Sequence, residues 1–189
     1  MNAYEYLLLV GFARDKMDVA TRAFAGVISS GYGASRLIPP LEYGMGKDEF
    51  KALMDEYFPG ALGKVINLAT GRKRGAAPED FRSDEYEGIL RLLLDHLSRK
   101  DKEGERMAHA VAMACLGCDT LWQSMGLPNR KALTELIKDY FGPLHKKKKG
   151  DAKWKKFLYR QLCEREGISP CKSPTCEDCS EYDGCFGEE

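Results

Sequence analysis

The sequence predicts an all-α fold, an irregular helical bundle that ends in a C-terminal cysteine-rich loop. Three observations carry this prediction. Apolar residues recur at helical spacing along nearly the whole chain. No stretch of useful length alternates apolar and polar residues as a half-buried strand would. Four of the seven cysteines fall within the last nineteen residues, where apolar side chains are sparse. At 189 residues the chain is long enough to bury a core without disulfides. The expected division is a helical domain over 1–167 and a cysteine-rich tail over 168–189.

Taken in order, Ala3 to Phe12 carries Tyr4, Leu7, Leu8 and Val10 on a helical period. Asp18 to Ser30 repeats the pattern through Val19, Phe24, Val27 and Ile28, and Gly31 is a natural stop. Tyr32 to Gly46 contains three glycines and the Pro39-Pro40 break, and reads as a loop. Asp48 opens a helix with Phe50, Leu53, Met54 and Tyr57, closed by Pro59-Gly60. A short helix is expected from Ala61 to Ala69, then a basic, Gly/Pro-rich connection from Gly71 to Pro78.

Ser83 starts a strongly amphipathic helix through Tyr86, Ile89, Leu90, Leu93, Leu94 and Leu97, and Asp84 and Glu85 suit its positive end. Glu105 to Leu116 is apolar almost all round, the pattern of a helix at the centre of a bundle. Pro128 to Phe141 is amphipathic through Leu133, Leu136, Ile137 and Tyr140. The last helix is expected from Asp151 to Glu166, stopped by Gly167. At about 100° per residue, Trp154, Phe157, Leu158 and Leu162 share its broad apolar face, while Cys163 lies away from the centre beside Tyr159.

Acids and bases balance at 29 each, so net charge gives no case for nucleic acid or an anionic membrane. The distribution is uneven. Lys146 to Arg160 holds eight bases and one acid, whereas Cys171 to Glu189 holds six acids and one base. The Lys146 to Lys149 run would attract an anion or an acidic partner, or serve as a solvated linker. The N-terminus lacks the pattern of a signal peptide and no apolar run is long enough to span a membrane, so a cytoplasmic location is expected. In a reducing compartment, seven cysteines point to metal or redox chemistry before disulfides.

The tail spaces Cys171, Cys176, Cys179 and Cys185 as C-x4-C-x2-C-x5-C, with Pro170, Pro174 and Gly184 opposing regular structure. Four thiolates on so short a loop make a metal-binding loop, because a segment with no core of its own takes its order from a metal. The C-x2-C bite serves zinc and iron–sulfur clusters alike. Structural zinc usually takes two such pairs, and plant-type ferredoxins place their fourth cysteine far away, so spacing leaves both open. A second C-x2-C, Cys115 and Cys118, sits at a helix C-terminus, where the dipole disfavours a thiolate, and Cys115 reads as packing. His109 reads as a satisfied core histidine, and His96 and His145 stand in no catalytic arrangement. No phosphate loop, dinucleotide fingerprint or nucleophile elbow is present.

From Ala114 onward the chain resembles the NifQ family of nitrogen-fixation proteins. The resemblance is carried by ACLG (114–117), LWQ (121–123), GLPNR (126–130), WKKFLYRQLCEREG (154–167) and the cysteine tail ending CFG (185–187), with weaker similarity at SGYG (30–33) and DEYFPGA (55–61). It implies a molybdenum-containing iron–sulfur cluster held by Cys171, Cys176, Cys179 and Cys185, with Cys163 matching a further cysteine of the family. It implies a metallochaperone, not an enzyme, that donates molybdenum for iron–molybdenum cofactor biosynthesis. The implied partners are the nitrogenase reductase (NifH), the cofactor scaffold (NifEN) and molybdate or another molybdenum donor. Two positions depart from the family: Thr120 stands where a histidine is typical, and Ser124 where an acid is common. The competing expectations are a zinc-binding interaction module and an electron-transfer iron–sulfur protein.

Overall fold

A computed structural model describes residues 2–32, 41–69, 82–117, 119–150 and 152–166. Among the described residues every regular element is helical, as the periodicity predicts. Helix α1 (Ala3–Phe12) starts on Asn2, whose side chain accepts from the amides of Tyr4 and Glu5 at 3.1 and 3.4 Å. Helix α2 (Val19–Tyr32) follows Asp18, which accepts at 2.8 Å from both the amide and the hydroxyl of Thr21. Gly31 does not stop α2, which runs one residue beyond it. A glycine inside a helix costs about 1 kcal/mol, and burial of the residues before it outweighs that.

The stretch expected to be a loop contains α3 (Leu41–Met45), anchored by the fully buried Leu41. Helices α4 (Lys47–Tyr57), α5 (Leu62–Ala69) and α6 (Ser83–Asp95) lie close to their expected bounds. The connection expected at 71–78 lies outside the described residues. Helix α7 (Lys102–Cys115) begins three residues before the expected Glu105. Asp101 caps it, accepting from the Gly104 amide at 2.8 Å, so its first turn is set by capping before the apolar pattern begins.

Two short helices were not expected: α8 (Leu121–Ser124) and α10 (Gly142–Lys147). Lys146 and Lys147 therefore sit in the last turn of a helix, where cations suit the dipole. Between them α9 (Arg130–Tyr140) is capped by Asn129, which accepts from the Ala132 amide at 3.0 Å. The chain closes its described part with α11 (Trp154–Glu166).

Helix α7 is the centre of the bundle. It packs against α2, α3, α6 and α8, and from Met107 to Leu116 only His109 is not fully buried. Arg106, 5% exposed, ties α7 to α4 by donating to Glu49 at 2.6 Å and Glu56 at 2.5 Å. Burial alone would lower its pKa, but the bonds to the two carboxylates outweigh burial and raise it.

Candidate metal centre

The four tail cysteines, Cys171, Cys176, Cys179 and Cys185, lie outside the described residues, as does Cys118. The structure does describe the helix from which the tail departs. Helix α11 buries Trp154, Phe157, Leu158 and Leu162, the face expected from the wheel, and packs against α6. It also buries Tyr159, at 2% exposed, and Lys155, at 5%. Cys163, one turn beyond Tyr159, is half-buried.

The additional burial of Tyr159 and Lys155 has a specific cause. The last carbonyls of an α-helix have no intrahelical partner. At the end of α7 three consecutive ones are satisfied by side chains. Tyr159 Oη lies 3.3 Å from the Cys115 carbonyl and 3.0 Å from Glu85, and its single proton is shared between them. Arg82 donates to the Leu116 carbonyl and, at 2.7 Å, to Glu85. Lys155 Nζ donates to the Gly117 carbonyl. Two of these donors come from α11, so the helix that carries the tail is bonded to the end of the central helix. Arg82 and Lys155 also bring positive charge to the negative end of α7.

Trp154 fixes the start of the same helix. Its Nε1 donates to Thr134 Oγ1 at 2.9 Å, His145 stacks on its ring at 6.1 Å, and Lys148 Nζ lies 5.2 Å from the ring centre. Cys115 and His109 take the packing positions expected of them. Cys115 is fully buried. His109 Nδ1 lies 2.6 Å from the Tyr86 hydroxyl, and burial lowers the pKa of the imidazole. Burial likewise raises the pKa of Tyr86, so its hydroxyl keeps its proton. His96 Nδ1 lies 2.8 Å from the Leu92 carbonyl and its Nε2 2.8 Å from Lys147 Nζ.

The two departures from the family pattern have clear local settings. Thr120 starts α8 and donates both its amide, at 3.3 Å, and its hydroxyl to Gln123 Oε1. Ser124 is fully buried. Among the described residues no group of three or more His, Cys, Asp or Glu side chains could hold a metal ion. No described helix is long and apolar enough to cross a membrane.

These features define a class: a helical body whose last helix is pinned to the central one and leads into a four-cysteine segment. The NifQ family model matches residues 23–187, a span that takes in all seven cysteines and leaves out α1. The chain belongs to the NifQ family, and with it to the proteins of nitrogen fixation. It is 36% identical over 156 residues to the protein NifQ of Azotobacter vinelandii, covering 79% of this chain and 80% of that protein. It is 40% identical over 160 residues to NifQ of Klebsiella pneumoniae, covering 82% and 92%. A NifQ homolog of Sinorhizobium fredii is 34% identical over 145 residues, covering 76% of this chain and 60% of that longer protein. No solved structure matches the chain.

Proposed function

We propose that this protein carries a molybdenum-containing iron–sulfur cluster as cargo and donates molybdenum for the iron–molybdenum cofactor of nitrogenase. The observation that carries this reading is the family match running through the C-x4-C-x2-C-x5-C segment to residue 187. Cys171, Cys176, Cys179 and Cys185 are the proposed ligands, on a tail over 168–189 borne by the helical domain over 1–167. Soft thiolates suit iron and molybdenum sulfide centres. The chain acts by holding and releasing its cargo and not by turnover. The receiving partners are the nitrogenase reductase and the cofactor scaffold, in the cytoplasm.

The bonds from Tyr159 and Lys155 to the end of α7 support a carrier role in one respect. They fix the direction in which α11 delivers the chain to the cysteine segment, so that cargo is presented from a rigid root. Anaerobic purification with elemental and labile-sulfide analysis tests the reading. Iron with molybdenum and sulfide is the expected result. One zinc per colourless chain would replace it with a zinc-binding interaction module. Iron and sulfide without molybdenum, with reversible redox activity, would replace it with an electron-transfer protein. Cys176→Ser should abolish bound molybdenum.

A further inference from the structure

Helix α1 carries its polarity reversed. Glu5 is its one charged residue, and Glu5 is 5% exposed. Tyr4 and Leu7 on the opposite side are 65% and 67% exposed. A solvated helix face is normally polar, and on α6, α9 and α11 it is, through Glu87 and Arg91, Glu135 and Lys138, and Arg160 and Glu164. Two hydrogen bonds fix the rotation of α1 about its axis. The Asn2 amide donates to the Ser29 carbonyl at 3.2 Å, and the Tyr6 hydroxyl to the Gly126 carbonyl at 3.3 Å. Turning Tyr4 and Leu7 inward would break both bonds and expose Leu9, which is fully buried.

Tyr4, Leu7 and Gly11 follow at intervals of three and four residues. At about 100° per residue they fall within about 60° of one another on the wheel. All three are exposed, and a side chain added at Gly11 would meet nothing within 4 Å. The outer face is thus an uncharged seam of two large side chains and one notch, at the spacing of a two-helix pair.

The order of knob and notch says what fits it. In an antiparallel pair about a twofold axis beside Leu7, Tyr4 lies over the partner's Gly11 and Gly11 under the partner's Tyr4. The two leucines then meet beside the axis. One patch serves both sides, as an isologous contact requires, and it bears no charge that would call for a partner of opposite sign. Area sets the strength. Tyr4 presents roughly 150 Å² and Leu7 somewhat less, so the seam offers roughly 400 Å². A stable interface takes about 800 Å² per partner. Half of that suits a reversible dimer.

We propose that this chain pairs with a second copy of itself, antiparallel, through the outer face of α1. The contact does not involve the cysteine segment and does not depend on what that segment holds.

Sedimentation velocity of the full-length, metal-free, thiol-reduced protein between about 1 and 500 µM tests it. A reversible monomer–dimer equilibrium is expected, with a Kd on the order of tens of micromolar. Leu7→Lys sets like charges beside the axis and should raise Kd by about tenfold or more. Since Leu7 is exposed, the unfolding midpoint of that variant should stay nearly unchanged. Gly11→Leu fills the notch and should weaken pairing as much, while its unfolding midpoint holds or rises, because the new side chain meets open space and a helix favours leucine over glycine. A role in the fold of the monomer alone would not produce that split. Met17→Gln removes another exposed apolar side chain, off the helix and 74% exposed, and should leave Kd unchanged. Changing all four tail cysteines to serine should do the same. A monomer at every concentration overturns the proposal, and its co-sedimentation with phosphatidylcholine vesicles would assign the face to lipid instead. A dimer that Leu7→Lys and Gly11→Leu leave intact also overturns it, as does one that Met17→Gln or loss of the tail cysteines weakens equally.

Discussion

Gly26, in the middle of α2, lies directly against the backbone of Gly126, in the turn that follows α8. A Cβ placed on Gly26 would overlap the backbone of Met125 and Gly126, and one placed on Gly126 would stand 2.9 Å from the Gly26 Cα. Gly126 has a φ of +62°, a conformation that side chains disfavour, and its carbonyl accepts from Tyr6 at 3.3 Å. Around the contact the hydroxyls of Ser29 and Ser30 donate to the Gly26 carbonyl at 3.0 and 2.9 Å. Two glycines a hundred residues apart thus let α2 and the α8 turn meet backbone to backbone.

This contact reverses the usual sign of a glycine substitution. On helix propensity alone, Gly26→Ala would stabilise α2 by about 1 kcal/mol. The added methyl meets rigid backbone on the far side, which cannot give way as a flexible side chain would. A net loss of at least about 2 kcal/mol is expected. Urea unfolding measures it, and a midpoint equal to or above that of the parent protein would disprove the close approach.

Arg106 and its two carboxylates are unequally buried, and this asymmetry predicts which partner is costlier to remove. Arg106 is 5% exposed, while the side chains of Glu49 and Glu56 are 38% and 57% exposed. With Arg106→Met both carboxylates turn to water and the methionine fills the space, at a cost of about 1 kcal/mol. With Glu49→Gln and Glu56→Gln together, a guanidinium stays buried without a counter-charge, at a cost of about 3 kcal/mol or more. Unfolding free energies of the two variants give the order directly. A charge-neutralised double variant as stable as Arg106→Met would show that the guanidinium reaches water.

His109 makes stability depend on pH in a defined direction. Burial holds its pKa below the ordinary 6.5, against smaller opposing effects of Glu105 and Glu49. As pH falls, the unfolded chain therefore takes up the proton before the folded one does. The stability that His109 contributes is complete above its unfolded pKa, and it is lost as pH falls through that value towards the folded one. His109→Gln keeps a hydrogen-bonding partner for the Tyr86 hydroxyl and does not titrate. Its unfolding midpoint should fall less than the parent's between about pH 7.5 and 5.5. Parallel curves for the two proteins would rule out a depressed imidazole.

Much of the body was legible because its helices carry their own signal. The all-round apolar run of α7 announces a central helix, and the Trp154, Phe157, Leu158 and Leu162 face of α11 is buried as the wheel predicts. Elements set by distant partners left no such mark. Helices α8 and α10 are too short for a period to show, and α3 depends on burial of Leu41. Tyr159 sits on the shoulder of the α11 wheel, yet it is buried because its hydroxyl reaches a carbonyl 44 positions away. Lys155 likewise reaches across 38 positions to Gly117. A lysine in a basic helix reads as surface, and only the orphan carbonyls at the end of α7 explain its burial. The four tail cysteines stand out for the opposite reason, since their spacing is local, and they lie outside the described residues.

Ser124, where a departure from the family pattern is expected, is set by packing. The side chain is fully buried, and among the described residues its hydroxyl has no hydrogen-bond partner. Its backbone carbonyl, by contrast, lies 3.3 Å from the Ser30 hydroxyl, whose single proton it shares with the Gly26 carbonyl. A buried hydroxyl without a partner loses its bonds to water and gains nothing in return. Ser124→Ala is therefore expected to be neutral or stabilising by up to about 1 kcal/mol. An acid at this position would place a carboxylate in the same closed space. Ser124→Asp is expected to cost at least about 3 kcal/mol, through desolvation of the charge and crowding of the α2 contact. Ser124→Asn supplies the uncharged comparison and should fall between the two. Thermal and urea unfolding of the series give the order Ala, Asn, Asp. An aspartate variant as stable as the alanine one would mean that position 124 reaches solvent, and the tight seating of α8 on α2 would have to be abandoned.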